Sequence, residues 1–158
     1  MSPLRISINN RDRRLMRPAL ATRQMLRQLE SCGCFPIGGG DLSIVFVNDA
    51  AIAKIHARFM DDPTPTDVIT FAADPGMDFA GEIIVSVDHA WTHAKENQLP
   101  FNQELALYVI HGWLHLAGYD DRSANDRKAM RQAETIALKC VNDVIPDYRL
   151  RQLQFRKK

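Results

Sequence analysis

No apolar run in this chain approaches the roughly 20 residues that a membrane-spanning helix needs, and no such span is expected. Met1-Ser2-Pro3-Leu4-Arg5-Ile6 carries no apolar stretch of the kind that drives secretion, so a cytoplasmic location is the expectation. Cysteine is scarce. Cys32, Cys34 and Cys140 are too few for a disulfide scaffold, and reduced thiols are expected. Cys32-Gly33-Cys34 offers half a metal site, with no second cysteine pair to complete it. Gly38, Gly39 and Gly40 are not followed by Gly-Lys-Ser/Thr, which removes a phosphate-loop reading and leaves a flexible connector. Internal repeats and low-complexity segments are also absent.

What is present reads as one α+β domain with about four strands in a mixed sheet and about five helices, a single core being adequate for 158 residues. Leu4 to Asn9 alternates apolar with polar and predicts a half-buried strand. Pro18 suits a first helical turn, and a helix with Leu20, Met25, Leu26 and Leu29 stops at Gly33. Asp41 to Val47 is a β-branched strand. Asn48 or Asp49 caps the next helix, whose apolar face is Ala51, Ile52, Ile55 and Phe59. Pro63 and Pro65 stiffen a loop before a strand at Asp67 to Phe71. Asp74-Pro75-Gly76 is turn chemistry, Glu82 to Val87 is a fourth strand, and Asp88 is the expected cap of a short helix through Ala94. Pro100 and Asn102 open another helix. Ser123 with Asp126 resembles a capping box for the last one, which runs along Met130, Ala133, Ala137 and Cys140 and ends by Pro146. Residues 1–147 are expected to form the catalytic domain and 148–158 a basic tail.

Net charge is only +1, but it is uneven. Arg5, Arg11, Arg13, Arg14, Arg17, Arg23 and Arg27 crowd the first thirty residues, and Arg149, Arg151, Arg156, Lys157 and Lys158 the end. Basic ends suit contacts to a nucleic-acid backbone; they suit a solvated helix face and a frayed tail equally well.

The chemistry concentrates at His111-Gly112-Trp113-Leu114-His115-Leu116-Ala117-Gly118-Tyr119-Asp120-Asp121. Histidines four apart leave one face of a helix. Gly118 is placed to end that helix in a left-handed turn and bring back a carboxylate, Asp120 or Asp121. Two histidines and a carboxylate make a catalytic zinc set, and zinc lowers the pKa of water from about 15.7 to about 7. Metal-assisted hydrolysis follows from these residues. Gly112 stands where a His-Glu-x-x-His metalloprotease has its general base, which counts against a peptidase of that type. His89 and His93 share the four-residue spacing without a turn or further ligand, and are expected to face solvent. Glu104, Tyr108, His111 and His115 share a helix face, with Glu104 expected as an exposed salt-bridge residue. Asp67 either orients a metal-binding histidine or caps the turn into its strand.

His111-Gly112-x-Leu114-His115-Leu116-x-Gly118-Tyr119-Asp120 resembles the signature of the YbeY family of bacterial endoribonucleases, and Pro65-Thr66-Asp67-Val68-Ile69-Thr70-Phe71 its second hallmark. Ser43 to Val47 and Gly81-Glu82-Ile83 fit as well, so the resemblance spans about residues 41–138. It implies a compact sheet-and-helix fold and a zinc-dependent, single-strand-directed RNase with one metal ion. It further implies action on the 3′ end of small-subunit ribosomal RNA, a role in ribosome quality control, and partners limited to RNA and the ribosome, with no membrane or DNA. The family motif usually ends in a third histidine, and its register places Asp121 there. An anionic ligand lowers the charge of the site, should acidify water less, and admits other divalent ions. Many relatives carry an arginine where this chain has Met60; Arg58, two residues away, is the candidate replacement. Rival readings are a metal-dependent hydrolase of another substrate, peptide included, and a ribosome-assembly binding protein with a structural metal.

Overall fold

Alternation in the first strand predicts one wet face, and β1 (Leu4–Asn10) has it: Leu4 and Ile6 are buried while Arg5 and Ser7 are exposed. The computed structural model describes residues 2–151. Strands β2 (Gly40–Val47), β3 (Val68–Phe71) and β4 (Phe79–Ser86) complete a four-stranded sheet in the order β1-β2-β4-β3. β1, β2 and β4 run parallel, and β3 pairs antiparallel with β4 on the edge. The two central strands are the nearly continuous apolar runs, because both of their faces are covered.

Period-two alternation divides those runs between two cores. Val45, Val47, Ile69 and Ile84 meet Ile52 of α2 (Asp49–Met60) on one face. Ile44, Phe46, Ile83 and Val85 meet α1 (Ala19–Cys32), α4 (Phe101–Leu116) and α5 (Ala124–Cys140) on the other, in the larger core. Helix α3 (Val87–Glu96) leaves β4 without a loop and packs on α4. The expected α+β domain, mixed sheet and five helices are all present.

Local details differ where tertiary partners compete. Asn48 caps α2 by accepting from the Ala51 N–H at 2.9 Å. Ser86, not Asp88, caps α3, its hydroxyl accepting from the His89 N–H at 3.1 Å. Asp88 is drawn away. It accepts from the Asp49 N–H at 2.8 Å and pairs with Arg14 at 2.6 Å. Gly40 is the first residue of β2 with φ +103°, set against the Asp78 backbone where a side chain has no room, so it is fixed where a flexible connector was expected. Helix α5 stops at Cys140, before a short 3-10 turn at Asn142–Val144 and well short of Pro146.

Packing continues past residue 147. Tyr148 is 4% exposed, its hydroxyl 2.6 Å from Thr22 Oγ1, and Leu150 bridges to Leu15. Arg156, Lys157 and Lys158 lie outside the described residues. The N-terminal basic cluster is also less available than its numbers imply. Arg5 pairs with Asp41 and Asp78, Arg27 with Glu30 and the Leu4 carbonyl, and Arg23 donates to the Ile6 carbonyl.

Arg14 also pairs with Asp12, which is 5% exposed. Burial pushes the Asp12 carboxyl up, but hydrogen bonds from the Arg14 side chain and backbone outweigh it and hold the group below its ordinary value. A depressed carboxyl stabilises above its unfolded pKa, about 4, and that contribution is lost as pH falls through the folded value. Asp12→Asn should therefore cost about 1–3 kcal/mol at pH 7, the gap to wild type narrowing below roughly pH 4. Urea unfolding at pH 7 and pH 3 checks this; an unchanged gap at pH 3 removes the pair from acid sensitivity.

Candidate metal centre

Helix α4 is buried nearly all round, Leu105, Ala106, Val109, Ile110 and Leu114 being inaccessible, so packing outweighs the weak helix propensity of Val109, Ile110 and Gly112. Gly112 lies so close to the Ile83 side chain that a Cβ there has no space. Position 112 thus faces the sheet, where a general-base carboxylate could serve no metal. Trp113 is fully buried and donates its indole N–H to the Phe35 carbonyl at 2.9 Å. With these two residues turned inward, His111 and His115 emerge together, their side chains 22% and 25% exposed.

Gly118 ends the helix as expected, with φ +106° and its N–H donating to the His115 carbonyl at 3.1 Å. The Tyr119 N–H returns to the Leu114 carbonyl at 3.0 Å, and its ring meets Phe35 edge-on at 5.8 Å. The reversal brings Asp121 back over the histidines. Its Oδ2 lies 3.4 Å from Nε2 of both His111 and His115, and those nitrogens are 3.1 Å apart. Neighbouring donors about 2.0–2.1 Å from a tetrahedral zinc ion are separated by about 3.3 Å, so this donor set fits such an ion. Asp120 is occupied elsewhere, accepting from the Asp121 N–H at 2.8 Å and facing Arg122 at 3.4 Å.

Glu134 of α5 orients His111. His111 Nδ1 donates to Glu134 Oε2 at 2.6 Å, which leaves Nε2 free as a donor atom beside His115 and Asp121. Burial pulls the His111 pKa down, but the Glu134 hydrogen bond and charge, with Asp67 and Asp121, raise it overall. Asp67, one candidate for this orienting role, instead accepts from the Val68 N–H at 2.8 Å and the Thr66 hydroxyl at 3.3 Å. Glu134 was legible in principle: it shares the 130, 133, 134, 137 stripe with buried Met130, Ala133 and Ala137. Glu134→Gln is expected to weaken metal binding about 10–100-fold, measured by competition with a chromophoric chelator. An unaltered affinity would show that the contact only packs α5.

A pocket of about 370 Å³ runs from His111 and Glu134 along Asp67, Tyr108, Glu104, His89 and His93. His93 Nδ1 lies 2.6 Å from Glu104 Oε2, and Glu104 is 6% exposed, so the expected exposed salt-bridge residue is a buried one. His93 reaches solvent, but His89 is half-buried with its ring centroid 6.0 Å from that of Tyr108. Burial, then the charges of Glu104 and Asp67, push the Tyr108 hydroxyl up, keeping it a neutral donor.

Arg58 stands exposed in the last turn of α2, its guanidinium 5.4 Å above the neighbouring Phe59 ring, and among the described residues it forms no ion pair with Asp121. Two other cations adjoin Asp121. The Arg122 side chain is 88% exposed beside Asp121, and Arg127 donates weakly to the Asp121 and Arg122 carbonyls at 3.5 and 3.3 Å.

This α+β domain presents His-x3-His-x5-Asp from the end of its buried central helix, a donor group that could hold a metal ion. The chain itself is a member of the Endoribonuclease YbeY family, whose model matches residues 6–142. It is 40% identical over 111 residues to a protein named Endoribonuclease YbeY from Rhodopirellula baltica, covering 68% of this chain and 57% of that protein. A namesake from Protochlamydia amoebophila is 40% identical over 98 residues, 60% of this chain and 65% of the relative. One from Porphyromonas gingivalis is 34% identical over 116 residues, 73% and 77%. The match thus spans less than two thirds of the first two relatives' length. The solution structure of TM1509 from Thermotoga maritima superposes with a TM-score of 0.63 at 28% identity, covering 87% of this chain and 89% of that one.

Proposed function

We propose that this protein is a zinc-dependent endoribonuclease that cuts single-stranded segments of ribosomal RNA, maturing the 3′ end of the small-subunit RNA and serving ribosome quality control in the cytoplasm. The observation that carries the reading is the convergence of His111, His115 and Asp121 within 3.1–3.4 Å at an accessible helix end, in a chain of this family. Zinc, when bound, supplies a Lewis acid for the phosphoryl group and water of lowered pKa. Glu134 holds His111 in the ligating tautomer, and Asp121 contributes negative charge that tempers the attraction for phosphate. Arg122, 88% exposed and next to Asp121 in the chain, supports a contact to the RNA backbone beside the triad. No helix of the described residues is long and apolar enough to cross a membrane.

Zinc-loaded protein should cleave a single-stranded RNA and leave casein intact, and chelation should abolish the cleavage. Casein hydrolysis without RNA cleavage would overturn the proposal. A 2′,3′-cyclic phosphate product would assign the attack to the RNA's own 2′-hydroxyl; its absence assigns it to water. Arg58, exposed and without a carboxylate partner among the described residues, is proposed as a cation contacting the substrate phosphate. Arg58→Ala is expected to reduce cleavage at least about tenfold, about 1.4 kcal/mol of barrier, with metal content unchanged. Undiminished cleavage would remove Arg58 from the mechanism.

A further inference from the structure

The C-terminal ends of α1 and α5 bring together three cysteines that lie 108 positions apart at their widest (Cys140 less Cys32). The Sγ atoms of Cys32, Cys34 and Cys140 all lie within 4.8 Å of one another. Cys32 is the last residue of α1, Gly33 turns the chain at φ +75°, and Cys34 returns beside it; Cys140 is the last residue of α5. From these positions we infer a second metal site, a three-thiolate clamp for a thiophilic d10 cation such as zinc or cuprous ion, separate from the histidine centre.

Three converging thiols suit a cation better than they suit a disulfide, which would join two and leave the third. Sulfurs about 2.3 Å from a tetrahedral zinc ion sit about 3.8 Å apart, within reach of these three by small rotamer changes. Soft thiolates select zinc or cuprous ion over the hard ions that oxygen donors prefer. Binding a cation there releases the thiol protons, so the affinity rises with pH. Cys32 and Cys140 are half-buried and Cys34 is exposed, which leaves the fourth coordination position open to solvent.

The two centres are distinct along α5. Cys140 lies six residues beyond Glu134, about 9 Å along the helix axis. They are nonetheless linked through Phe35, next to Cys34, whose carbonyl holds Trp113 and whose ring meets Tyr119. A filled clamp would pin the 32–35 segment that supports α4 and the Gly118 turn.

The test is cobalt titration of the full chain, freed of metal and kept reduced under anaerobic conditions. A nitrogen-and-oxygen site gives no sulfur-to-cobalt charge transfer, so that near-ultraviolet band reports the thiol site alone. Wild type should show the band and bind two cobalt ions per chain. Cys34→Ser and Cys140→Ser should each lose the band and one ion, while His115→Ala keeps the band. Displacement of cobalt by zinc, and of zinc by cuprous ion, then ranks the two candidates. Absence of the band in wild type, an undiminished band in both serine variants, or a disulfide among these cysteines in the reduced anaerobic protein would each overturn the assignment.

Discussion

His115→Ala is expected to empty the histidine centre and to lower RNA cleavage at least about a thousandfold, roughly 4 kcal/mol of barrier, in a protein that remains folded. The side chain is 25% exposed at the last turn of α4, and its polar neighbours are the other two ligand atoms. Removing it therefore leaves no buried polar group without a partner, so the fold should lose little. Catalysis should lose much, because two remaining donors hold an ion far less tightly than three. Asp121→Ala should behave in the same way, its side chain being 44% exposed. Elemental analysis and circular dichroism on both variants, beside an RNA cleavage assay, separate the outcomes. Folded, metal-poor and inactive variants agree with a catalytic centre. Unfolded variants would instead indicate a metal that holds the structure together, as in the binding-protein reading. Folded variants that lack metal and still cleave RNA would sink the metal-dependent mechanism.

Trp113→Ala should produce the largest loss of stability, about 3–5 kcal/mol, although position 113 ligates nothing. Its indole is fully buried and fills the space between α4 and the segment around Phe35. Alanine leaves a cavity and strands the Phe35 carbonyl, which had accepted the indole N–H at 2.9 Å. For a domain of this length the melting temperature should drop by roughly 10 °C. Because Trp113 lies between the two histidines in sequence, the variant also tests whether packing holds the ligands in place. Zinc at saturating concentration should recover part of the loss, since the ion binds the native state and not the unfolded one. Denaturant unfolding with and without zinc checks both statements. A loss below about 1 kcal/mol would mean that the core closes around the gap.

The sequence by itself determined whatever depends on residues a few positions apart. Alternation marked β1, continuous apolar runs marked β2 and β4, and the Ser123–Asp126 capping box began α5 as expected. The pairing of His111 with His115, the reversal at Gly118 and the return of a carboxylate all follow from one helical turn and one left-handed residue. Choosing Asp121 over Asp120 needed the family register; in the structure Asp121 Oδ2 lies 3.4 Å from both histidines while Asp120 faces Arg122.

Only tertiary packing decided the rest. Glu134 reaches His111 across 23 positions, Arg14 draws Asp88 away from its expected cap, and Glu104 is buried beneath His93. Cys140 meets Cys32 and Cys34, completing what the sequence showed as half a site. The physical reason is common to all of these. Backbone periodicity sets which face a side chain leaves by, but not which distant helix that face meets. That is settled by how α1, α4 and α5 pack over one face of the sheet, and their packing supplies both the histidine centre's orienting carboxylate and the third thiol of the cysteine cluster.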